Sequence, residues 1–252
     1  MSDNVVINTE LKSYAVWDRT TRLFHWINVL CIIGLIGAGT ALLNDDALGI
    51  SKDGKFLLKS VHAYIGYVFA VNLVWRLVWG FIGNKFARWK AISPFGRGSW
   101  QSLKEYISSV KSGKTITYLG HNPLGKLMIA CLFLLITIQT STGLILAGTD
   151  LYLPPFGHEI AEWVTGEGEE HNKIVNLKPG SKDNIDTEAY AQMRSFRKPV
   201  ITTHVYTFYT LLLAIILHIA GVVVAEIREN NGLVSAMFSG KKVVAKKPVD
   251  LE

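Results

Sequence analysis

The stretch HVYTFYTLLLAIILHIAGVVVA, residues 204–225, contains no Asp, Glu, Lys or Arg, yet it carries two histidines, His204 and His218. It is as long as the ~20 residues that an α-helix needs to cross a ~30 Å hydrocarbon layer. Ionisable side chains in such helices usually face the interior of a helix bundle, where they pair or do chemistry. The stretch therefore predicts a membrane helix whose two histidines need partners.

Composition supports the same fold for the whole chain. Of 252 residues, 49% are hydrophobic and only 18% are charged, and the mean hydropathy of +0.26 is high for a soluble enzyme. Helices buried in a soluble bundle would show polar residues at every third or fourth position, and these segments show almost none. We predict an all-α integral membrane protein, a bundle of four transmembrane helices in residues 1–228 followed by a basic tail at 229–252. The predicted helices cover about residues 23–43, 60–83, 124–148 and 200–225.

Charge indicates how the helices are oriented. Residues 84–122 hold seven Lys or Arg against the single acid Glu105, whereas residues 149–198 hold nine acids against six Lys or Arg. By the positive-inside rule, the first connection faces the cytoplasm. The 149–198 loop then faces the periplasm, and both termini are cytoplasmic. The net charge of +6 is thus a topology signal, and no nucleic-acid partner is expected.

This topology gives each histidine a depth in the membrane. His25 lies near the cytoplasmic start of the first helix, and His62 lies at the periplasmic start of the second. His204 begins the fourth helix at the depth of His62. His218 follows 14 residues later, or ~21 Å along an α-helix, at the depth of His25. The histidines form two pairs at two levels.

Two opposed neutral imidazoles inside a dry helical bundle suit axial ligation of haem iron. Zinc would prefer four ligands at a single level. The spacing favours two non-covalent haem b groups with His25, His62, His204 and His218 as iron ligands. Separate structural histidines, each bonded to a backbone carbonyl, remain the alternative.

Polar residues near these levels suggest further roles. Arg76 follows His62 by 14 residues and Arg22 precedes His25 by three, so both arginines can meet haem propionates near the cytoplasmic side. The alternatives are headgroup anchoring for Arg22 and another buried partner for Arg76. Gln139 is unusually polar for a membrane helix, and it bonds either a neighbouring helix or a quinone. His121 and His158 fit interface residues better than ligands, and His171 fits a solvated acidic loop better than a weak metal site.

Several motifs together resemble one family. They are YAVWDRTTRLFHW (14–26), SVHAYIGY (60–67), RLVWGFIG (76–83), GHNPLG (120–125) and the histidine pair of the fourth helix. Over about residues 14–228 the chain resembles the bacterial cytochrome b561 family, which includes the b-type cytochrome subunits of nickel-iron hydrogenases. The segment before the fourth helix is longer than expected of minimal family members, and we expect it to dock a partner.

The resemblance implies a multi-pass protein of the bacterial cytoplasmic membrane with two bis-histidine haems on the same four histidines. It implies electron transfer between a quinone pool and a periplasmic redox protein, such as a multihaem cytochrome c, a hydrogenase or another dehydrogenase. The chain would be the electron-transfer subunit of an oxidoreductase complex. Two rival functions stay open: a proton-relaying small transporter without haem, and a self-contained quinone reductase that uses a small diffusible reductant.

Overall fold

A computed structural model describes residues 11–114, 116–166, 174, 176–181, 183–229 and 231–251. In chain order the elements are β1 (Lys12–Ala15), α1 (Arg19–Leu43), α2 (Lys52–Ile82), α3 (Trp89–Ile92), α4 (Ser99–Lys111), α5 (Pro123–Leu151), α6 (Gly157–Thr165), α7 (Thr187–Glu229), α8 (Leu233–Ser239) and β2 (Lys241–Val244). Helices α1, α2, α5 and α7 are each long and apolar enough to cross a membrane. The four predicted membrane helices are present, and the chain is a multi-pass membrane protein.

The first membrane helix begins where Asp18 caps it. The Asp18 carboxylate accepts a 2.7 Å hydrogen bond from the backbone N–H of Thr21 and a 3.0 Å bond from Trp79 Nε1 at the end of α2. An aspartate in this position satisfies backbone N–H groups that have no partner in the first helical turn. The same side chain therefore starts one membrane helix and fixes the end of the next.

The last membrane helix is longer than the apolar pattern predicts. The continuous apolar residues begin after Pro199, so the sequence predicts a start near residue 200. The helix α7 instead begins at Thr187 and includes Pro199. Asp186 caps this polar extension, because its side chain accepts a 2.7 Å bond from the N–H of Ala189. The connection after α5 is therefore residues 152–186, which contain α6. The predicted acids at 167, 169 and 170 lie outside the described residues.

The chain divides into two compact units. Unit 1 comprises Met1–His25, Trp75–Phe133 and Leu213–Glu252, and unit 2 comprises Trp26–Val74 and Leu134–Leu212. His25 and His218 belong to unit 1, whereas His62 and His204 belong to unit 2. Each unit thus contains one of the two histidine pairs that depth predicts.

Unit 1 includes a small folded cap built from both ends of the chain. Strands β1 and β2 pair antiparallel, with Lys12 opposite Val244 and Ala15 opposite Lys241. Asp250 accepts 2.7 Å hydrogen bonds from the backbone N–H groups of Leu119 and Gly120. The core of the cap consists of six buried residues: Val16, Trp17, Phe86, Leu119, Ala236 and Val244. The segment predicted only as a basic tail is therefore ordered through α8 and β2.

Lys242 is the most deeply buried charge of this cap, with 1% of its surface exposed. Its Nζ donates to the carbonyl oxygens of Gly120 at 3.1 Å and Tyr118 at 3.4 Å, and it lies 5.8 Å from the centre of the Trp17 ring. Burial lowers the pKa of Lys242 to about 8, although Glu229 and Asp250 oppose the shift. The cap therefore holds an ammonium group that is only partly compensated.

This burial predicts a cap whose stability rises with pH. Lys242 keeps its ordinary pKa of 10.5 when the cap is unfolded, so between about pH 8 and pH 10 the unfolded cap binds more protons than the folded one. Protection of the cap from proteolysis should therefore increase over that interval, with rates normalised to an unstructured peptide at each pH. Lys242→Met should remove the increase, and Lys241→Met, at an exposed neighbour, should keep it. Equal pH slopes in the two variants would contradict this assignment.

Candidate functional site

The histidine pair of unit 2 has the spacing of two ligands on one metal. The ring centroids of His62 on α2 and His204 on α7 are 6.3 Å apart, with an interplanar angle of 70°. Metal-to-imidazole nitrogen bonds are ~2 Å long, so a metal held between two opposed imidazoles sets their centroids about 6 Å apart. The observed distance fits an ion bound on both sides by imidazole.

Protein side chains alone do not complete a metal cage at this site. Within the described residues, no group of three or more His, Cys, Asp or Glu side chains converges on one point. Structural zinc sites need four such ligands. Two axial imidazoles suffice only where a macrocycle supplies the remaining ligands, as in haem. The donor set of this pair therefore fits haem b.

Glycines let neighbouring helices approach both rings of the pair. A Cβ atom added to Gly39 would lie 3.4 Å from Cε1 of His62, and one added to Gly143 would lie 3.3 Å from Cε1 of His204. By contrast, a Cβ added at Gly37 or Gly66 would meet no described atom within 4 Å. Close backbone approach and open space beside small residues are what a flat macrocycle between helices requires.

Side chains of α5 hold His204. Thr142 Oγ1 lies 2.9 Å from Nδ1 of the imidazole, and Gln139 Nε2 lies 3.0 Å from its Nε2. The polarity of Gln139 is thus explained by a bond between helices in this structure. Whether Gln139 also contacts a quinone stays a prediction.

Unit 2 also contains an ion cluster that the sequence does not predict. Asp150 lies 2.6 Å from Nζ of Lys59, and Nη2 of Arg197 donates to it at 2.8 Å. Lys59 precedes His62 by three residues and Arg197 precedes His204 by seven, so helical periodicity places each cation on the face of its histidine. This spacing is the sequence pattern that could have predicted the two cations near the histidine pair. The cluster ties α2, α5 and α7 together near the pair.

In unit 1, His25 lies on α1 and His218 lies on α7. Arg76 is 5% exposed, and its Nη2 donates to the carbonyl of Ala87 at 3.0 Å. The guanidinium carbon lies 5.5–5.8 Å from the ring centres of Phe24, Trp89 and Phe133.

A second guanidinium nitrogen of Arg76, Nη1, is a donor without a partner in the part of the chain that the structure describes. Nη1 is buried and makes no hydrogen bond to any described residue. A buried charged donor is costly unless it is paired, and Asp18 attracts it only through the Coulomb interaction. A carboxylate is the partner that this guanidinium lacks, so the site fits a haem propionate.

Arg22 and the histidines outside the two pairs have other contacts. The Arg22 guanidinium donates to the carbonyl of Phe238 in the cap, so its role toward a propionate stays a prediction. The ring centroids of His121 and Trp17 are 4.6 Å apart, with the rings tilted by 41°. Burial, aided by Lys242, lowers the pKa of His121 to about 3, which keeps it neutral. His158 is exposed beside Glu162 on α6. The predicted loop histidine at 171 lies outside the described residues.

Comparison with known proteins gives the same family as the motifs. A family model described as prokaryotic cytochrome b561 matches residues 16–240. Three relatives bear the name of a probable Ni/Fe-hydrogenase B-type cytochrome subunit, with the E. coli protein assigned to hydrogenase 1. The Cupriavidus necator protein is 25% identical over 94% of this chain and 89% of its own length. The Azotobacter vinelandii protein is 30% identical over 59% and 65%, and that of Escherichia coli K12 is 29% identical over 56% and 61%.

The chain therefore spans less than two-thirds of the A. vinelandii and E. coli relatives. No solved structure matches it. The family match nevertheless covers most of the chain, including both histidine pairs, α1, α2, α5 and α7. The chain belongs to the prokaryotic cytochrome b561 family.

Proposed function

We propose that the chain is a dihaem b-type cytochrome that carries electrons in the membrane. His62 and His204 would hold one haem, and His25 and His218 the other. The 6.3 Å separation of the His62 and His204 rings is the observation that carries this proposal. Each haem, when bound, supplies a one-electron redox change, whereas the chain supplies axial nitrogens, orientation and an apolar setting.

Residues around each pair support the same proposal. Gly39 and Gly143 bring neighbouring backbones against the His62 and His204 rings, and Gly37 and Gly66 leave open space on α1 and α2. In unit 1, the unpartnered guanidinium nitrogen of Arg76 would bind a propionate, and the three surrounding aromatic rings stabilise its charge. These residues would hold and orient the group and exclude water from it.

We further propose that electrons pass between a quinone pool and a redox protein on the periplasmic side of the bacterial cytoplasmic membrane. The names of the relatives support a hydrogenase as one such partner. The positive-inside rule places the basic 84–122 connection and both termini in the cytoplasm. The acid-rich connection after α5 would then face the partner, where its charge can steer a basic surface.

Optical spectra separate this proposal from its rivals. A purified dihaem cytochrome shows reduced-minus-oxidised bands of low-spin haem, whereas a proton-relaying transporter shows none. A self-contained quinone reductase would oxidise a small diffusible reductant at full rate without any protein partner. Copurification with a periplasmic redox protein, together with electron exchange that depends on it, supports the subunit role.

The ligand pairing is tested by single replacements. His62→Ala and His204→Ala should perturb one common haem, and His25→Ala and His218→Ala should perturb the other, because each iron loses one of two axial nitrogens. Redox-resolved absorption spectra of membranes containing each variant make the assignment. Perturbation of the same centre by His62→Ala and His218→Ala would overturn the pairing.

Replacement of the glycine beside His204 should perturb that haem. In Gly143→Ala the new methyl would stand 3.3 Å from Cε1 of a ring that Thr142 holds in place through Nδ1, so the imidazole must turn or shift. We expect about half of the haem to be lost, or one of two potentials to change. Ser141→Val adds volume on an exposed position of the same helix and should keep both haems. Full haem content with unchanged potentials in Gly143→Ala would contradict this role.

Arg76 should raise the potential of the haem bound by His25 and His218. A nearby positive charge disfavours the oxidised iron, so Arg76→Leu should lower that potential. With an effective dielectric constant of ~20, a charge ~10 Å from iron is worth on the order of 1–2 kcal/mol, or ~40–80 mV for one electron. Arg97→Leu removes the same charge from an exposed loop and is the control in potentiometric titrations. Unchanged potentials of both haems in Arg76→Leu would exclude the assignment.

A further inference from the structure

The hydrogen bonds of Thr142 fix the direction of its contact with His204. Thr142 Oγ1 lies 2.8 Å from the carbonyl oxygen of Ile138 and 3.1 Å from that of Gln139. A carbonyl only accepts, so the single hydroxyl proton is donated to the backbone. The lone pairs of Oγ1 remain, and the Nδ1–H of His204 donates to them at 2.9 Å.

The contact on the other side of the ring agrees with the same tautomer. Gln139 Nε2 lies 3.0 Å from His204 Nε2, and an amide nitrogen only donates. Nε2 of His204 therefore carries the lone pair and Nδ1 carries the proton. This is the form in which an imidazole binds a metal through Nε2. The amide of Gln139 holds the same lone pair that an iron would take, so the two are exclusive.

His62, the other member of the pair, lacks such support. Its Nδ1 is buried and makes no hydrogen bond to the part of the chain that the structure describes. A hydrogen bond from the Nδ1–H of a ligating histidine fixes the ring and makes the imidazole a stronger donor to the metal. The two imidazoles, 6.3 Å apart, are therefore unequal as ligands.

We propose that Thr142 is a positioning residue that locks His204 as an Nε2 ligand and makes it the stronger donor of the pair. This inference rests on the proposed ligation of haem by His62 and His204. Greater donation from the imidazole stabilises the oxidised iron, so the hydroxyl of Thr142 lowers the potential of this haem. The hydroxyl touches neither the haem nor a substrate and acts only through His204.

Three variants of α5 test the proposal in the full-length chain in membranes. Thr142→Val removes the hydroxyl at nearly constant volume, and Thr142→Ser keeps it. Thr140→Val is the matched control, because Thr140 Oγ1 also donates to a carbonyl four residues earlier, that of Ile136 at 2.7 Å. Each variant is characterised by haem content, potentiometric titration and the low-spin ferric EPR signals.

We expect Thr142→Val to shift one potential upward and to change the EPR g-values of the same haem. Thr142→Ser and Thr140→Val should match the wild type in both measurements. If Thr142→Val fails to retain that haem, Thr142→Ala replaces it. Loss of the haem in both, with retention in Thr142→Ser, still assigns the role to the hydroxyl.

Unchanged potentials and EPR signals in Thr142→Val would overturn the proposal, as would equal shifts in Thr140→Val. Failure of the haem proposal itself has a different signature. In that case the wild-type chain would bind no haem, or His204→Ala would leave both haems unperturbed. A wild type with two haems that respond to His204→Ala but not to Thr142→Val rejects the role of Thr142 alone.

Discussion

An imidazole inside a membrane helix needs a polar partner, and this constraint organises the protein. His204 meets it through Thr142 and Gln139, and its ring centroid lies 6.3 Å from that of His62, a distance that suits one metal between the two rings. Gly39 and Gly143 bring neighbouring backbones against the two rings, and Thr142 orients His204. Helix packing in unit 2 thus fixes the positions of the His62 and His204 imidazoles.

Unit 1 contains buried charges that also need polar partners. Arg76 keeps a guanidinium nitrogen available while aromatic rings and Ala87 hold the rest of the side chain. In the cap, the buried ammonium of Lys242 donates a hydrogen bond to the carbonyl of Gly120. A buried charge that depends on a few fixed carbonyls ties the end of the chain to the GHNPLG segment at residues 120–125.

Sequence predicted the number of membrane helices and the proximity of His62 to His204, because hydropathy, charge asymmetry and helical periodicity are local properties. It did not predict the polar start of α7, since Thr187–Pro199 shows no apolar run and depends on the cap by Asp186. The Lys59–Asp150–Arg197 cluster was missed because it joins residues distant in the chain. The fold of residues 231–251 depends on pairing between β1 and β2, which no local pattern encodes.

The direct test of the central claim is the haem stoichiometry and axial ligation of the purified chain. Pyridine haemochrome analysis against quantitative amino-acid analysis gives the number of haem b groups per chain. Near-infrared magnetic circular dichroism identifies their axial ligands. The account predicts two haem b per chain, both low-spin with two histidine ligands. A single haem, no haem, or a centre with a ligand other than histidine would contradict it.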